Sequence, residues 1–243
     1  MSAYAGPEIV NDGLVLCLDA GNAKSYPGSG TAWTDLSGLG NNGTLTNGPT
    51  FDSANGSIVF DGSNDYVTRS NVIMLGGQNK KVTVEVAFYL PTTGGGYLVT
   101  NERESGSTGQ GWYFCDTSQL YFSQHASNNP PYEFKAVASS TGFSNIRVND
   151  WNIVSFAIDV SSSSTLTCNY MINGYTESIS NNSVVWNNVV TNQDNIDIGR
   201  FRNYIYGTSY NNCRISTVRI YDRLLTYDEQ LQNFNAIRGR FDI

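Results

Sequence analysis

The sequence predicts an all-β chain folded as a two-sheet antiparallel sandwich and closed by one short C-terminal helix. Three observations predict it. Lys81 to Leu90 and Trp151 to Val160 alternate with a period of two, so each has one face on a core. Many shorter strand-like runs follow one another with turn signals between them and no long helical pattern. The chain then ends on a strand, a turn and a capped amphipathic segment.

The elements are taken in order. Residues 1–12 are a polar arm containing Gly and Pro, and Gly13 to Asp19 is the first strand. Residues 20–50 are rich in Gly and Asn, with turn signals at Pro27-Gly28, Asn42-Gly43 and Asn47-Gly48. Ser57 to Asp61 and Asp65 to Thr68 are strands on either side of Gly62. In Lys81 to Leu90, the residues Val82, Val84, Val86, Phe88 and Leu90 face one way, and Thr83, Glu85, Ala87 and Tyr89 the other; this is a half-buried strand, ended by Pro91. Tyr97 to Asn101, Gly111 to Cys115, Leu120 to Gln124 and Glu133 to Ala138 follow as strands. Trp151 to Val160 turns Val154, Phe156, Ile158 and Val160 inward, and Ser161 to Ser164 is a polar turn. Thr165 to Ile172 and Tyr175 to Ile179 flank Asn173-Gly174, a strong hairpin signal. Asn195 to Phe201 and Cys213 to Tyr221 are the last strands. After the turn at 222–225, Thr226 and Glu229 form a capping box that opens a helix. Tyr227, Leu231 and Phe234 give it an apolar stripe, and Gly239 is the expected stop. No linker or repeat interrupts 13–243, so those residues read as a single sandwich domain.

Composition narrows the partners. The net charge is −7 with a pI near 4.6, which argues against nucleic acid, because that needs a Lys/Arg face, and against an anionic membrane surface. No apolar run approaches the roughly 20 residues of a membrane-spanning helix. The N-terminus shows no basic stretch followed by an apolar run, so synthesis in the cytoplasm without a secretion signal is expected. Cys17, Cys115, Cys168 and Cys213 sit singly in strand-like runs, the setting of small buried hydrophobes, with no spacing suited to zinc.

Several segments, in this order, resemble the laminin-G-like, concanavalin-A-like jelly rolls. They are Gly13-Leu-Val-Leu-Cys-Leu-Asp-Ala20, Trp33-Thr-Asp-Leu-Ser-Gly38, Asn41-Asn-Gly-Thr-Leu45 and Ile58-Val-Phe-Asp-Gly-Ser-Asn-Asp-Tyr-Val67, followed by Trp151, Ile172-Asn-Gly174, Ile198-Gly-Arg200 and Val218-Arg-Ile-Tyr221. The wording from Pro7 to Tyr66, with Ser25-Tyr-Pro-Gly-Ser-Gly30 and Arg238-Gly-Arg-Phe241, is similar to a subgroup found in tailed-phage virion proteins. That resemblance implies a non-enzymatic virion surface protein, a capsid decoration or a fibre component, partnered by the major capsid protein or by tail proteins. Residues 1–12, with Tyr4, Pro7 and Ile9, would anchor it. The alternatives are a carbohydrate-binding module and a β-glucanase-type hydrolase.

Each implied chemistry has candidate residues. Relatives often carry a structural Ca²⁺ where the first strand meets the last; Asp19, the Gly21 carbonyl, Asn22 and Asp61 could supply oxygens. The last strand departs from the family pattern, with Ser216 and Thr217 where acidic residues are usual, and Asp61 and Asp65 read equally well as turn formers. Glycan adhesion would use aromatic platforms in loops: Trp112 with Tyr113, Tyr132, Trp186, and Tyr204, Tyr206 and Tyr210. Those aromatics read equally well as packing residues. Hydrolysis would need paired carboxylates. Glu102 and Glu104 lie on one strand face about 7 Å apart, but in a polar strand end that reads as a solvated turn. His125 is the sole histidine and no Gly-x-Ser-x-Gly elbow exists, so no catalytic residue is assigned. If two cysteines pair, Cys17 and Cys213 are the choice, since first and last strands are often neighbours in such folds.

Overall fold

The computed structural model describes residues 6–70, 81–91, 96–102, 109–115, 119–125, 134–138, 146–159, 167–177, 179–182, 195–203 and 207–243. Within them the strands are β1 (Leu14–Asp19), β2 (Ala32–Trp33), β3 (Gly43–Thr46), β4 (Thr50–Asp52), β5 (Ser57–Asp61) and β6 (Tyr66–Ser70). Next come β7 (Lys81–Leu90), β8 (Gly96–Glu102), β9 (Gly109–Cys115), β10 (Gln119–His125), β11 (Phe134–Ala138) and β12 (Asp150–Asp159). The last are β13 (Thr167–Ile172), β14 (Tyr175–Glu177), β15 (Ile179–Asn182), β16 (Asn195–Ile198), β17 (Arg200–Asn203), β18 (Gly207–Tyr210) and β19 (Asn212–Tyr221). Helix α1 (Tyr227–Ile237) and a 3₁₀ turn at Arg238–Arg240 close the chain.

The strands form two large antiparallel sheets. The first runs β14-β13-β12-β7-β19-β5-β4, with β1 also paired to β19; the second runs β15-β11-β10-β9-β8-β16-β6-β3-β2. A ribbon of β17 and β18 stands beside them. The fold is an all-β antiparallel sandwich with one short C-terminal helix. Its core lies between the sheets. Leu16, Leu18, Ile58, Phe60, Val84, Val86, Phe88, Phe156, Ile158, Ile215, Val218 and Ile220 from the first sheet meet Trp33, Leu45, Val67, Leu98, Ile196 and Ile198 from the second, all buried. The period-two alternation of β7 therefore points its five apolar residues where the sequence places them.

The other face of the first sheet is buried as well. Thr83, Glu85 and Ala87 of β7 are covered, because α1 and the chain end pack across them. Phe234, Ile237 and Phe241 lie on Trp151, Ile153, Met171 and Ala87. Beside this apolar contact sits a buried polar cluster. Glu85 and Arg219, opposite each other in β7 and β19 and each 3% exposed, form an ion pair at 3.6 Å. The Asn233 amide donates to Glu85 at 2.8 Å and to the Tyr221 hydroxyl at 3.0 Å. Burial pushes the Glu85 carboxyl above its ordinary value, against the pull of Arg219 and Asn233.

The capping box of α1 forms as the spacing predicts: the Glu229 N–H donates to the Thr226 hydroxyl at 3.3 Å, and the Thr226 N–H to Glu229 at 2.8 Å. The buried stripe, however, differs from the expected one. Tyr227 and Leu231 are 41% and 40% exposed, and Gln230, Asn233, Phe234 and Ile237 face the sheet. The inward face mixes Gln230 and Asn233 with Phe234 and Ile237, because the sheet offers Glu85 and Tyr221 to Asn233, the Asn169 carbonyl to Gln230 and apolar side chains to the other two. Gly239 does not act as a left-handed cap either; the helix passes through Arg238 into the 3₁₀ turn that contains it.

Two further expectations need correction. The expected strand at Asn195–Phe201 is broken into β16 and β17 by Gly199, whose φ is +80° and whose backbone lies so close to Phe60 that a Cβ would sit 2.6 Å from the ring. Cys17 and Cys213 are free thiols. β1 and β19 are indeed neighbours, but Cys17 lies opposite Arg219 while Cys213 lies opposite Phe60 of β5. The two belong to different packed clusters. Burial pushes the Cys17 thiol up to about 11, and those of Cys168 and Cys213 further, so all three are protonated near neutrality.

Candidate functional site

Among the described residues, a built surface site lies where the two ends of the chain meet. β19 pairs along one side with β7 and along the other first with β5, up to Ile215, and then with β1, from Thr217. The register shift between Ile215 and Thr217 leaves Ser216 at the handover, and such irregularities bend a strand and re-aim its groups. The carbonyl and the hydroxyl of Ser216 both have partners there. Its carbonyl accepts from Ala20 N–H at 2.9 Å, and its hydroxyl donates to the Gly56 carbonyl at 2.7 Å. Arg240, delivered by the 3₁₀ turn, donates to the Ser216 hydroxyl at 3.2 Å and to both Asp19 carboxylate oxygens at 2.6 and 2.9 Å. The guanidinium lies over Gly21, where a Cβ would come within 2.6 Å of it. Gly56, at φ +58°, faces the Gly21 backbone so closely that no Cβ fits.

This clasp forms one wall of an open cleft of about 320 Å³. Tyr26 and Phe51 supply aromatic surface, with rings 5.3 Å apart and tilted by 54°. Ala20, Pro27 and Gly28 add apolar surface, and Ser53, Asn55 and Arg240 are its polar side chains besides the Tyr26 hydroxyl. That hydroxyl is held by the Gly30 carbonyl at 2.9 Å. Next to Phe51, Asp52 is paired with Arg214 at 2.8 Å.

The residues proposed for calcium do not make a calcium site in this arrangement. The Asp19 carboxylate is held by the Arg240 guanidinium and by the Gly21 N–H at 2.9 Å, so a cation already fills its coordination side. Asn22 caps the Lys24 N–H. Asp61 accepts from the Ser63 N–H at 2.8 Å, and this bond holds its carboxyl below the ordinary range. Asp61 is thus a turn former, linked to Asp65 through its own N–H. Among the described residues, no three acidic, histidine or cysteine side chains converge. The donor set lacks the six to eight free oxygens that calcium requires.

Of the aromatic candidates, Tyr132, Trp186, Tyr204 and Tyr206 lie outside the described residues, as does Glu104. Trp112 and Tyr113 belong to the backbone of β9, Glu102 to β8 and His125 to β10. Tyr210 is half-buried at the end of β18, opposite Arg200. Arg200 is itself paired with buried Asp197 at 2.9 Å and stacked on Tyr66 at 3.3 Å.

Of the anchoring residues, Tyr4 lies outside the described residues and Pro7 is exposed. Ile9 packs with Val10 on a cluster of Leu14, Cys17, Tyr221 and Leu225. Residues 8–12 do not hang free of the sandwich. The Val10 N–H donates to Asn233 at 2.8 Å, and its carbonyl accepts from Tyr221 at 3.0 Å. Gln232 reaches the Glu8 carbonyl at 2.7 Å, and Arg223 holds Asp12 at 2.8 Å.

Sequence reasoning marked Pro27-Gly28 and Asp19, but it did not single out Phe51, Ser53, Asn55 or Arg240 as site residues. Their only local signal is that they lie in turn-rich or terminal segments. The cleft exists because the Ser216 bulge brings three distant segments together.

No protein-family model and no curated protein sequence matches the chain. Solved structures do. The receptor-binding domain of botulinum neurotoxin D superposes with a TM-score of 0.64 at 13% identity, over 92% of this chain and 52% of that one. The serotype D ligand-binding domain in complex with N-acetylneuraminic acid gives 0.63 at 11% identity, over 93% and 51%. Trypanosoma rangeli sialidase in complex with sialic acid gives 0.61 at 14% identity, over 94% and 33%. The chain therefore spans about half of the toxin domains and a third of the sialidase. At these identities the likeness is one of fold: the chain is a β-sandwich.

Proposed function

We propose that this chain is a non-enzymatic recognition module that binds carbohydrate at the surface of a larger assembly. The observation that carries the reading is the open cleft at the chain-end clasp, which sets aromatic surface beside hydrogen-bonding side chains. Small-molecule sites combine largely apolar walls with a few directed polar groups in this way. The fold agrees, since structural neighbours include a ligand-binding domain complexed with a sugar. The acidic charge of −7 also favours carbohydrate over polyanionic partners. A glycan array probed with the full chain tests this. Binding to a defined set of sugars is expected, and a blank array would overturn the reading.

The virion surface is our proposed location for the module, on the sequence resemblance in residues 7–66. The capsid or tail proteins would then be its partners. Co-sedimentation with purified particles is expected, and a protein found only in the particle-free fraction would remove that placement while leaving the carbohydrate reading intact.

A further inference from the structure

We propose that the clasp cleft takes a single uncharged pyranose ring and holds it without a metal ion. The inference rests on the carbohydrate reading and assigns it a place and a ligand class. Three properties of the cleft carry it.

Size comes first. About 320 Å³ lies at the small end of ligand pockets, which run from about 300 to 1,000 Å³. One sugar ring fills that space, and the rest of a longer chain would lie outside it. Charge comes second. Among the described residues, the one charged side chain lining the cleft is Arg240, and Asp19 cancels it through two contacts at 2.6 and 2.9 Å. The neighbouring Asp52 is likewise cancelled by Arg214. A carboxylated sugar would therefore meet no net positive field and would have to compete with Asp19 for the guanidinium. A neutral ring loses nothing by this arrangement. The third property is polarity. Ser53 and Asn55 line the cleft, and among the described residues no hydrogen bond or ion pair engages either side chain. A hydroxyl and an amide can both donate and accept, as sugar hydroxyls require. Phe51, half-exposed and tilted against Tyr26, offers an aromatic surface for the C–H face of the ring.

Arg240 also supplies the positive charge that a bound cation would otherwise bring to Asp19. Binding should therefore be indifferent to chelator.

The test is titration calorimetry on the full chain with methyl glycosides of glucose, galactose and mannose, and with N-acetylneuraminic acid, each with and without EDTA. Two variants keep the fold out of the question: Ser53→Ala with Asn55→Ala removes only unengaged groups, and Ala54→Trp fills the cleft from an exposed position. At least one neutral glycoside should bind, equally well in EDTA. The double variant should weaken it about tenfold, the loss of two hydrogen bonds of ~1 kcal/mol or less each. Ala54→Trp should abolish it, and thermal melts of both variants should match the parent. Preference for N-acetylneuraminic acid, or loss of binding in EDTA, would overturn the ligand class. Unchanged binding in both variants would overturn the location while leaving the carbohydrate reading standing. A chain that binds none of these probes and is also blank on the array would overturn both.

Discussion

The two faces of the first sheet are both buried, but by opposite means. Among the described residues the inner face meets the second sheet chiefly through aliphatic and aromatic side chains, with Phe60, Phe88 and Ile215 fully buried. The outer face meets α1 and residues 8–12 through Glu85, Arg219, Tyr221 and Asn233, a hydrogen-bonded cluster flanked by apolar packing. An apolar interface tolerates repacking at constant volume. A buried charged cluster does not, since every group left unpaired carries its full desolvation cost. The inner face therefore makes the sandwich stable in bulk, while the outer face specifies which segments may lie upon it.

Breaking the outer face should give the largest effect. Arg219→Met leaves Glu85 buried without its cation, and should cost about 3–5 kcal/mol in a denaturant titration. Adding Glu85→Leu should recover most of that loss; a double variant no better than the single one would mean that the cluster is not coupled. On the inner face, Phe60→Ala should cost a comparable ~3–5 kcal/mol by cavity formation, whereas Ile215→Leu should cost under about 1.5 kcal/mol. The contrast would vanish if conservative swaps were as damaging inside as charge removal is outside.

Deletion of residues 1–12 sharpens the comparison from the other side. It removes the Val10 N–H from Asn233 and the Val10 carbonyl from Tyr221, so about 2 kcal/mol of stability should be lost. Read as a polar arm, this segment would be dispensable to the fold, and an unchanged melting temperature would support that simpler view.

Glu229 offers a smaller, pH-dependent effect. Hydrogen bonds from Arg223 and from the Thr226 backbone hold its carboxyl down at about 2. A depressed carboxyl stabilises the folded state fully above its ordinary value near 4.5, and the contribution disappears as pH falls through about 2. Glu229→Gln should therefore cost about 1 kcal/mol at neutral pH and little below pH ~2, read from melts across that range. The smallest expected effect is that of calcium or EDTA on the melting temperature. It should be nil, because Arg240 already neutralises Asp19. A saturable calcium shift lost in Asp19→Asn would contradict this.

Much of the fold was legible in residue order. The bounds of β5 and β7 and the capping box of α1 follow from local pattern, because strand alternation and cap chemistry act over a few residues. The site was legible only in fragments. Asp19 and Pro27-Gly28 stand out locally, but Arg240 lies 221 residues from Asp19, and no periodicity relates them. The apolar stripe on α1 was misplaced for a similar reason. Hydrophobicity points Tyr227 and Leu231 inward, yet the surface beneath the helix offers polar partners that take Gln230 and Asn233 beside Phe234 and Ile237.

What the sequence determined by itself, then, is a β-sandwich with a capped terminal helix, since alternation, turn residues and caps are properties of neighbours along the chain. The tertiary structure alone decided that the polar face of β7 is covered, that Gly199 breaks a strand beneath Phe60, and that Asp19 is held by a guanidinium. Each of these depends on which distant group arrives within a few ångströms, and the energy of a buried charge or a tight backbone approach is set by that neighbour.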